Sequence, residues 1–151
     1  MLRLGRMTQP RFDPLAGKII AAAIKVHRAL GPGLFENPYK QCLAYELHRQ
    51  GLLVATEVVV PVVYETVRIE CGYRLDLLVE RAIIVEVKSI DRFAPIHTAQ
   101  ALTYLKLTDA RQLLLMNFNA PTLKAGLKSF LRGGIEVPRE ALDEYELPEL
   151  S

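Results

Sequence analysis

The sequence YRLDLLVERAIIVEVK, residues 73–88, decides the fold of this chain. Two runs rich in Val, Ile and Leu, which are typical of strands, are separated here by a short polar turn. Three charged side chains interrupt these apolar runs, namely Asp76, Glu86 and Lys88. A charge buried in a sheet is costly unless it is paired or binds a metal. The hairpin therefore contains either a self-neutralising ionic triad or a cation site.

The spacing of these charges predicts the register of the hairpin. If Val79 pairs with Ile83 across a turn of residues 80–82, Asp76 lies opposite Glu86 with the Cβ atoms about 5 Å apart. A two-residue turn would instead place the two carboxylates on opposite faces. Lys88 shares the face of Glu86 because the two are separated by one residue on one strand. We predict the three-residue turn, which brings both carboxylates to one face.

Composition predicts one globular domain. The chain has 151 residues, and half of them are apolar, which excludes a disordered chain. No apolar run reaches the ~18 residues of a membrane span, and the N-terminus does not read as a secretory signal. Cys42 and Cys71 are too few for a disulfide framework. We expect a reduced, cytoplasmic protein without a membrane partner.

Charge is unevenly distributed along the chain. Residues 133–151 contain six acidic residues and one basic residue, whereas the chain as a whole has a net charge of +2. We therefore divide the chain into a flexible lead-in (1–14), a domain (15–132) and an acidic C-terminal tail (133–151). The basic body fits a phosphate-rich partner, although a merely solvated surface is the alternative.

Hydrophobic periodicity predicts the order α-α-β-β-β-α-β-α. This order gives an α/β fold in which helices cover both faces of a mixed sheet. His27, beside an apolar helical stripe, is interpreted as a packing residue. Lys124, Lys128 and Arg132 recur every fourth residue and predict a basic stripe on the last helix. The predicted helices are residues 15–30, 38–50, 95–108 and 121–132, and the predicted strands are 57–64, 67–79, 83–88 and 112–118.

Two further sets of polar residues are candidates for the same site as the hairpin charges. Glu36 comes just before the second predicted helix, where it either complements the helix dipole or points into the site. His97, Gln100 and Tyr104 share one face of the third helix.

Several short motifs, taken together, resemble one family. Residues 33–39, GLFENPY, read G-x-x-E-x-x-Y, the signature of the bacterial GxxExxY proteins. Further matching segments occur in the same order as in that family: VHRALGPG (26–33), YRLDLLVE (73–80), HTAQ (97–100), TYLKL (103–107) and NFN (117–119). The resemblance covers about residues 15–132.

That family resembles the PD-(D/E)XK nuclease superfamily. The resemblance implies a restriction-endonuclease-like fold, a three-layer α/β/α arrangement with a central mixed four-stranded sheet. The superfamily motif falls on Asp76 and on Glu86-Val87-Lys88, with Leu75 where the superfamily has Pro. Gln100 and Tyr104 resemble the QxxxY motif of the RecB-like branch. Relatives there often hold an iron–sulfur cluster, which is not implied here because the four cysteines are missing.

The resemblance implies a Mg²⁺-dependent nuclease that hydrolyses DNA phosphodiester bonds, with Mn²⁺ as an alternative metal. Two carboxylates suffice for Mg²⁺, which keeps several of its waters. Lys88 would orient or deprotonate the attacking water or bind the phosphate. The expected metal ligands are Asp76, Glu86, the Val87 carbonyl and Glu36, and the expected substrate-binding residues are Gln100, Tyr104, His97, Lys124 and Lys128.

Two other functions fit the sequence. A catalytically silent nucleic-acid-binding module of the same fold would use the basic residues without cleavage. A protein-interaction module would bind neither metal nor DNA. A homodimer or a partner protein is compatible with each of these functions.

Overall fold

A computed structural model describes residues 13–143 and 145, apart from the side chain of Cys71. The helices are α1 (Pro14–Leu30), α2 (Glu36–Arg49), α3 (Pro95–Leu107) and α4 (Arg139–Asp143), with a 3₁₀ turn at Lys124–Gly126. The strands are β1 (Val54–Tyr64), β2 (Val67–Val79), β3 (Ile83–Lys88), β4 (Gln112–Asn117), β5 (Leu127–Leu131) and β6 (Ile135–Glu136).

The strands form one mixed sheet in the order β1-β2-β3-β4-β5-β6. Neighbouring strands are antiparallel except β3 and β4, which are parallel and joined through α3. The predicted mixed α/β sheet is confirmed, but the predicted number of strands is wrong. In the described part of the chain the sheet has six strands rather than four.

Helices cover both faces of the sheet. The core on one face contains Ile19 and Val26 of α1 with Leu43 and Leu47 of α2. The core on the other face contains Ala101, Tyr104 and Leu105 of α3. Alternate residues of β3 enter the two cores, as expected for a strand that is buried on both sides. The three-layer arrangement predicted above is therefore observed. No helix in the described residues is long and apolar enough to cross a membrane.

The ends of α1 are set by local hydrogen bonds. The Asp13 carboxylate accepts the Leu15 N–H at 2.9 Å, and the Gly31 N–H donates to the His27 carbonyl at 2.8 Å. Gly31 has a φ of 69°, which favours glycine at a helix end. His27 is buried, and its Nε2 donates to the Ala120 carbonyl at 2.9 Å. Its predicted packing role is confirmed.

The predicted helix at 121–132 is wrong. Residues 121–123 form bends and a turn before the 3₁₀ turn, and strand β5 follows and pairs antiparallel with β4. The residues of β4 are all buried, so its backbone groups need partners on both sides. Pairing with β5 supplies them on the side that β3 leaves open, and this requirement overrides the local helical pattern.

The interpretation of residues 133–151 as a tail outside the domain is wrong for their described part. Strand β6 pairs with β5, and Val137, Ala141 and Leu142 are buried in the α1-side core. Arg139 holds this segment in place by donating to the Lys124 and Leu127 carbonyls at 2.6 and 2.7 Å. Most of the lead-in (1–12) and the acidic residues Glu144, Glu146 and Glu149 lie outside the described residues.

Candidate active site

The β2–β3 register brings two carboxylates between the strands. Leu77 pairs with Val85 and Val79 with Ile83, so the predicted register is confirmed. Beyond Leu77 the regular ladder ends, and side chains take over its hydrogen bonds. The Asp76 N–H donates to Glu86 Oε2, and the Val87 N–H donates to Asp76 Oδ2, both at 2.8 Å. Each carboxylate is thus held by the backbone of the opposite strand.

Burial and mutual repulsion oppose the ionisation of this pair. Glu86 is 4% exposed, and burial together with the charge of Asp76 raises the pKa of Glu86 to about 8. Burial also raises the pKa of Asp76, against the hydrogen bond from Val87 and the charges of Lys40 and Lys88. The pair therefore favours a proton or a cation between its two carboxylates.

A distorted backbone lies beside Asp76. Thr56 and Val58 of β1 pair with β2 on either side of Glu57, whose φ of 53° is in the left-handed region. Such a conformation costs of order 1–3 kcal/mol in a residue other than glycine and is concentrated at functional sites. The Glu57 carboxylate forms an ion pair with Lys40 of α2. The site therefore has a third wall, which is built by α2 and β1.

Lys40 was not predicted as a site residue. Burial alone lowers the pKa of Lys40, but the hydrogen bond to Glu57 and the charge of Asp76 outweigh it and raise the pKa. Lys40 is thus a fixed cation beside the carboxylates. The signal in the sequence was its position four residues after Glu36, which places both on one face of α2.

Glu36 is the first residue of α2, so this helix begins two residues earlier than predicted. Its Oε2 accepts the Ser89 N–H at 3.3 Å, and Ser89 Oγ donates to the Leu34 carbonyl at 2.5 Å. Glu36 is exposed and acts on Asp76 through its charge. Within the described residues no three His, Cys, Asp or Glu side chains form a group able to hold a metal, so Glu36 does not join the carboxylate pair in this conformation.

Helix α3 brings Tyr104 to the carboxylates. Burial and the charges of Glu86 and Asp76 raise the pKa of Tyr104 to about 12, so its hydroxyl stays protonated at neutral pH. Gln100 Nε2 donates to this hydroxyl at 3.3 Å. Tyr73 contacts the Tyr104 ring edge-on, with the centroids 6.3 Å apart. The structure therefore places Tyr104 near the carboxylates, with Gln100 bonded to it, and contact of either side chain with a substrate stays a prediction.

His97 lies in the first turn of α3. Its Nδ1 accepts the Ala94 N–H at 2.8 Å, which caps the start of α3, and its ring lies edge-on to Phe93. This hydrogen bond gives His97 a role at the helix end that needs no substrate.

The basic residues are distributed over several places. The charge of Lys88 lowers the pKa of both carboxylates, so it acts on the pair. Leu115 of β4 pairs with Glu86 on one side and with Lys128 on the other. Lys128 therefore lies directly across the sheet from Glu86, two strands and about 10 Å away. Its Nζ is 5.4 Å from the centre of the Phe93 ring. Lys124 lies in the 3₁₀ turn, and Arg132 follows β5. The predicted helical stripe is therefore wrong.

The carboxylate pair fits a hard divalent cation. Asp76 Oδ1 and Glu86 Oε1 accept no hydrogen bond from the described residues, whereas the second oxygen of each is held by backbone. Two oriented carboxylate oxygens are the ligands that Mg²⁺ and Mn²⁺ prefer. A cation there would also relieve the repulsion that raises the pKa of Glu86.

Comparison with protein-family models gives a match over most of the chain. The model of a family described as PD-(D/E)XK nuclease superfamily matches residues 13–130. Neither the curated proteins nor the solved structures gave a significant match.

Proposed function

Because the chain belongs to the PD-(D/E)XK nuclease superfamily, we propose that it is a metal-dependent nuclease that hydrolyses DNA phosphodiester bonds. The observation that carries the proposal is the pair of carboxylates, Asp76 and Glu86, held between β2 and β3, each with one oxygen that accepts no hydrogen bond within the described part of the chain. We further propose that the chain belongs to the GxxExxY branch of that superfamily and acts in the cytoplasm.

Asp76 and Glu86 are the proposed ligands of Mg²⁺ or Mn²⁺, assisted by the Val87 carbonyl. A bound divalent ion lowers the pKa of its water and neutralises charge on the scissile phosphate. Glu36 would approach through movement of the loop before α2, or would help to hold a second ion.

The side chains around the pair have complementary roles in this proposal. Lys88 orients or deprotonates the attacking water or binds the phosphate. The charge of Lys40 stabilises the ionised form of Asp76. Tyr104 donates a hydrogen bond to the substrate backbone, and its raised pKa keeps the proton on oxygen in alkaline solution as well. Gln100 orients the Tyr104 hydroxyl.

A cleavage assay tests the proposal directly. The purified protein should cut labelled single- or double-stranded DNA with Mg²⁺ or Mn²⁺ and should be inactive with EDTA. Asp76→Ala should be inactive at every metal concentration, and its circular dichroism spectrum should match that of the parent. Cleavage that survives in Asp76→Ala, or that needs no metal, would contradict the proposed site.

A second prediction concerns Lys128, which lies on the same face of the sheet as Glu86. Lys128→Met should weaken DNA binding severalfold and reduce the slope of log affinity against log salt concentration by about 1. Binding should be measured by fluorescence anisotropy with Ca²⁺ in place of Mg²⁺. Lys18→Met is the matched control, because Lys18 is exposed on α1 at the other face. An equal loss in both variants would remove Lys128 from the DNA-binding surface.

One observation favours a second candidate function, a catalytically silent nucleic-acid-binding module. Asp76 and Glu86 already accept hydrogen bonds from backbone N–H groups, and a purely structural role in joining β2 to β3 accounts for these bonds without a metal. In that case Asp76→Ala should bind DNA as the parent does and neither protein should cleave it. A homodimer or a partner protein would then supply the activity.

A further inference from the structure

A cavity of about 610 Å³ lies on the α1 side of the sheet, between the end of α1 and the segment after β4. This volume is within the range of small-ligand sites, which is roughly 300–1,000 Å³. Asp76 and Glu86 do not line the cavity. Tyr104, whose pKa is raised by the charges of these carboxylates, packs on the opposite face of the sheet. The cavity is therefore distinct from the proposed metal site.

The lining of the cavity combines two cations with an apolar surface. Arg28 comes from the last turn of α1 and Lys124 from the 3₁₀ turn. Neither side chain makes an ion pair or a hydrogen bond with the described residues, and no acidic residue lines the cavity. Ile24 and Leu123 supply apolar walls, with two prolines at 32 and 121. This lining fits a ligand that has both an anionic group and a flat apolar part.

Hydrogen bonds fix the backbone that carries both cations. The His27 ring, beside Arg28, donates to the Ala120 carbonyl, which joins α1 to the segment before Lys124. Arg139 donates to the Lys124 carbonyl at 2.6 Å. Arg28 alone could be explained as a base that complements the dipole of the α1 end. That explanation does not extend to Lys124, which belongs to another element and faces the same cavity.

The cavity walls belong to the segments after α1 and after β4, and both segments are hydrogen-bonded to the residues that follow β3. The Gly31 carbonyl accepts the Tyr39 hydroxyl at 2.5 Å, and this begins the loop that reaches Ser89 through Leu34. On the other side, Asn119 Nδ2 donates to the Ile90 carbonyl at 3.3 Å just before Pro121. The cavity thus lies at the carboxyl ends of the parallel strands β3 and β4, where ligands bind in open α/β sheets.

We infer that this cavity binds a nucleoside monophosphate unit. The phosphate contacts Arg28 and Lys124, and the base packs against Ile24, Leu123 and the prolines. The unit is either a free nucleotide or one nucleotide of a bound strand, because the two present the same chemistry. The inference goes beyond the proposed nuclease reaction and does not need the metal site to be active.

Calorimetry on the full chain tests this site. Deoxyadenosine monophosphate should bind more tightly than deoxyadenosine or inorganic phosphate alone, because only the nucleotide uses both the cations and the apolar wall. Arg28→Met and Lys124→Met should each weaken this binding about tenfold, as expected for loss of one charged hydrogen-bonding partner. Lys18→Met is the control and should bind like the parent. Equal binding by the parent and both cavity variants would overturn the inference, as would equal binding of nucleotide and phosphate.

Two further measurements keep the test decisive. Amide chemical shifts of Gly31 and Leu123 should move on nucleotide addition to the unmutated protein, and unchanged shifts there would also overturn the inference. A 5′-phosphorylated trinucleotide that binds more tightly than the mononucleotide assigns the cavity to a bound strand, and equal affinity assigns it to free nucleotide. Asp76→Ala should retain nucleotide binding, so failure of the nuclease proposal is distinguishable from failure of this site.

Discussion

Replacing Glu86 with Gln is expected to reduce metal-dependent cleavage at least about a thousandfold and, in the metal-free protein, to stabilise the fold at alkaline pH. The two effects have one cause. Glu86 is buried beside Asp76, so its negative charge is costly in the metal-free fold but supplies a ligand once a cation is bound. Gln keeps the shape of the side chain and removes the charge.

The direction of the pH effect follows from the raised pKa of Glu86. In the folded protein this pKa is about 8, against about 4.5 for the free side chain. The folded state therefore holds its proton more tightly than the unfolded state does. The resulting stability is fully present below about pH 4.5 and is lost as the pH rises through about 8. At pH 9 Glu86→Gln should exceed the parent by roughly 2 kcal/mol in free energy of unfolding, within the range for replaced buried charges.

Urea unfolding in EDTA at pH 5, 7 and 9 measures this effect. The parent should lose stability across this range, and Glu86→Gln should lose much less. Glu140→Gln, at an exposed position in α4, is the control and should follow the parent. Added Mg²⁺ should stabilise the parent most at high pH, because the metal needs the deprotonated carboxylate. A flat pH profile for the parent, or full cleavage by Glu86→Gln, would contradict the role given to Glu86.

The hairpin register could be predicted from the sequence because a register error has a large local penalty. Shifting β3 by one residue would turn Glu86 and Lys88 to the other face and disturb the burial of the Val and Ile residues. Helix α1 was predictable for a similar reason, since local groups set its ends: the Asp13 side chain accepts a hydrogen bond at the start, and Gly31 adopts a left-handed φ at the finish. In both cases the deciding interactions lie within about twenty residues of each other.

Strand β5 shows why the rest could not be predicted. Lys124, Lys128 and Arg132 are spaced by four, which places residues on one side of a helix but equally on one side of a strand. The segment forms a strand because the buried backbone of β4 needs hydrogen-bonding partners on a second side. Lys40 and Glu57 were missed for a related reason. Their ion pair joins α2 to β1, and only the folded sheet brings Glu57 beside Asp76.

Arg132 is the residue for which a role in a basic binding stripe and a role in stabilising the fold predict opposite experimental results. As part of a basic stripe it would contact nucleic acid, and its loss would weaken DNA binding. In the structure its guanidinium instead donates to three backbone carbonyls at the end of α3, those of Leu105, Thr108 and Ala110, at 2.5, 2.5 and 3.1 Å. The Leu105 carbonyl belongs to the last turn of α3, and the other two lie in the segment that follows it. Arg132 therefore adds to the bond from Thr108 Oγ1 to the Tyr104 carbonyl and closes the end of α3.

Arg132→Met should therefore lower the free energy of unfolding by about 2–3 kcal/mol, because charged hydrogen bonds are lost and the helix end is left unsatisfied. Arg132→Lys should recover only part of that loss, since a single ammonium group cannot reach three carbonyls as the guanidinium fork does. Both variants should keep the salt dependence of DNA binding seen in the parent, in contrast to Lys128→Met. Urea unfolding and anisotropy on the same samples separate the outcomes. Unchanged stability with a reduced salt slope would show that Arg132 contacts the substrate rather than closing helix α3, and would restore the basic stripe as a binding surface.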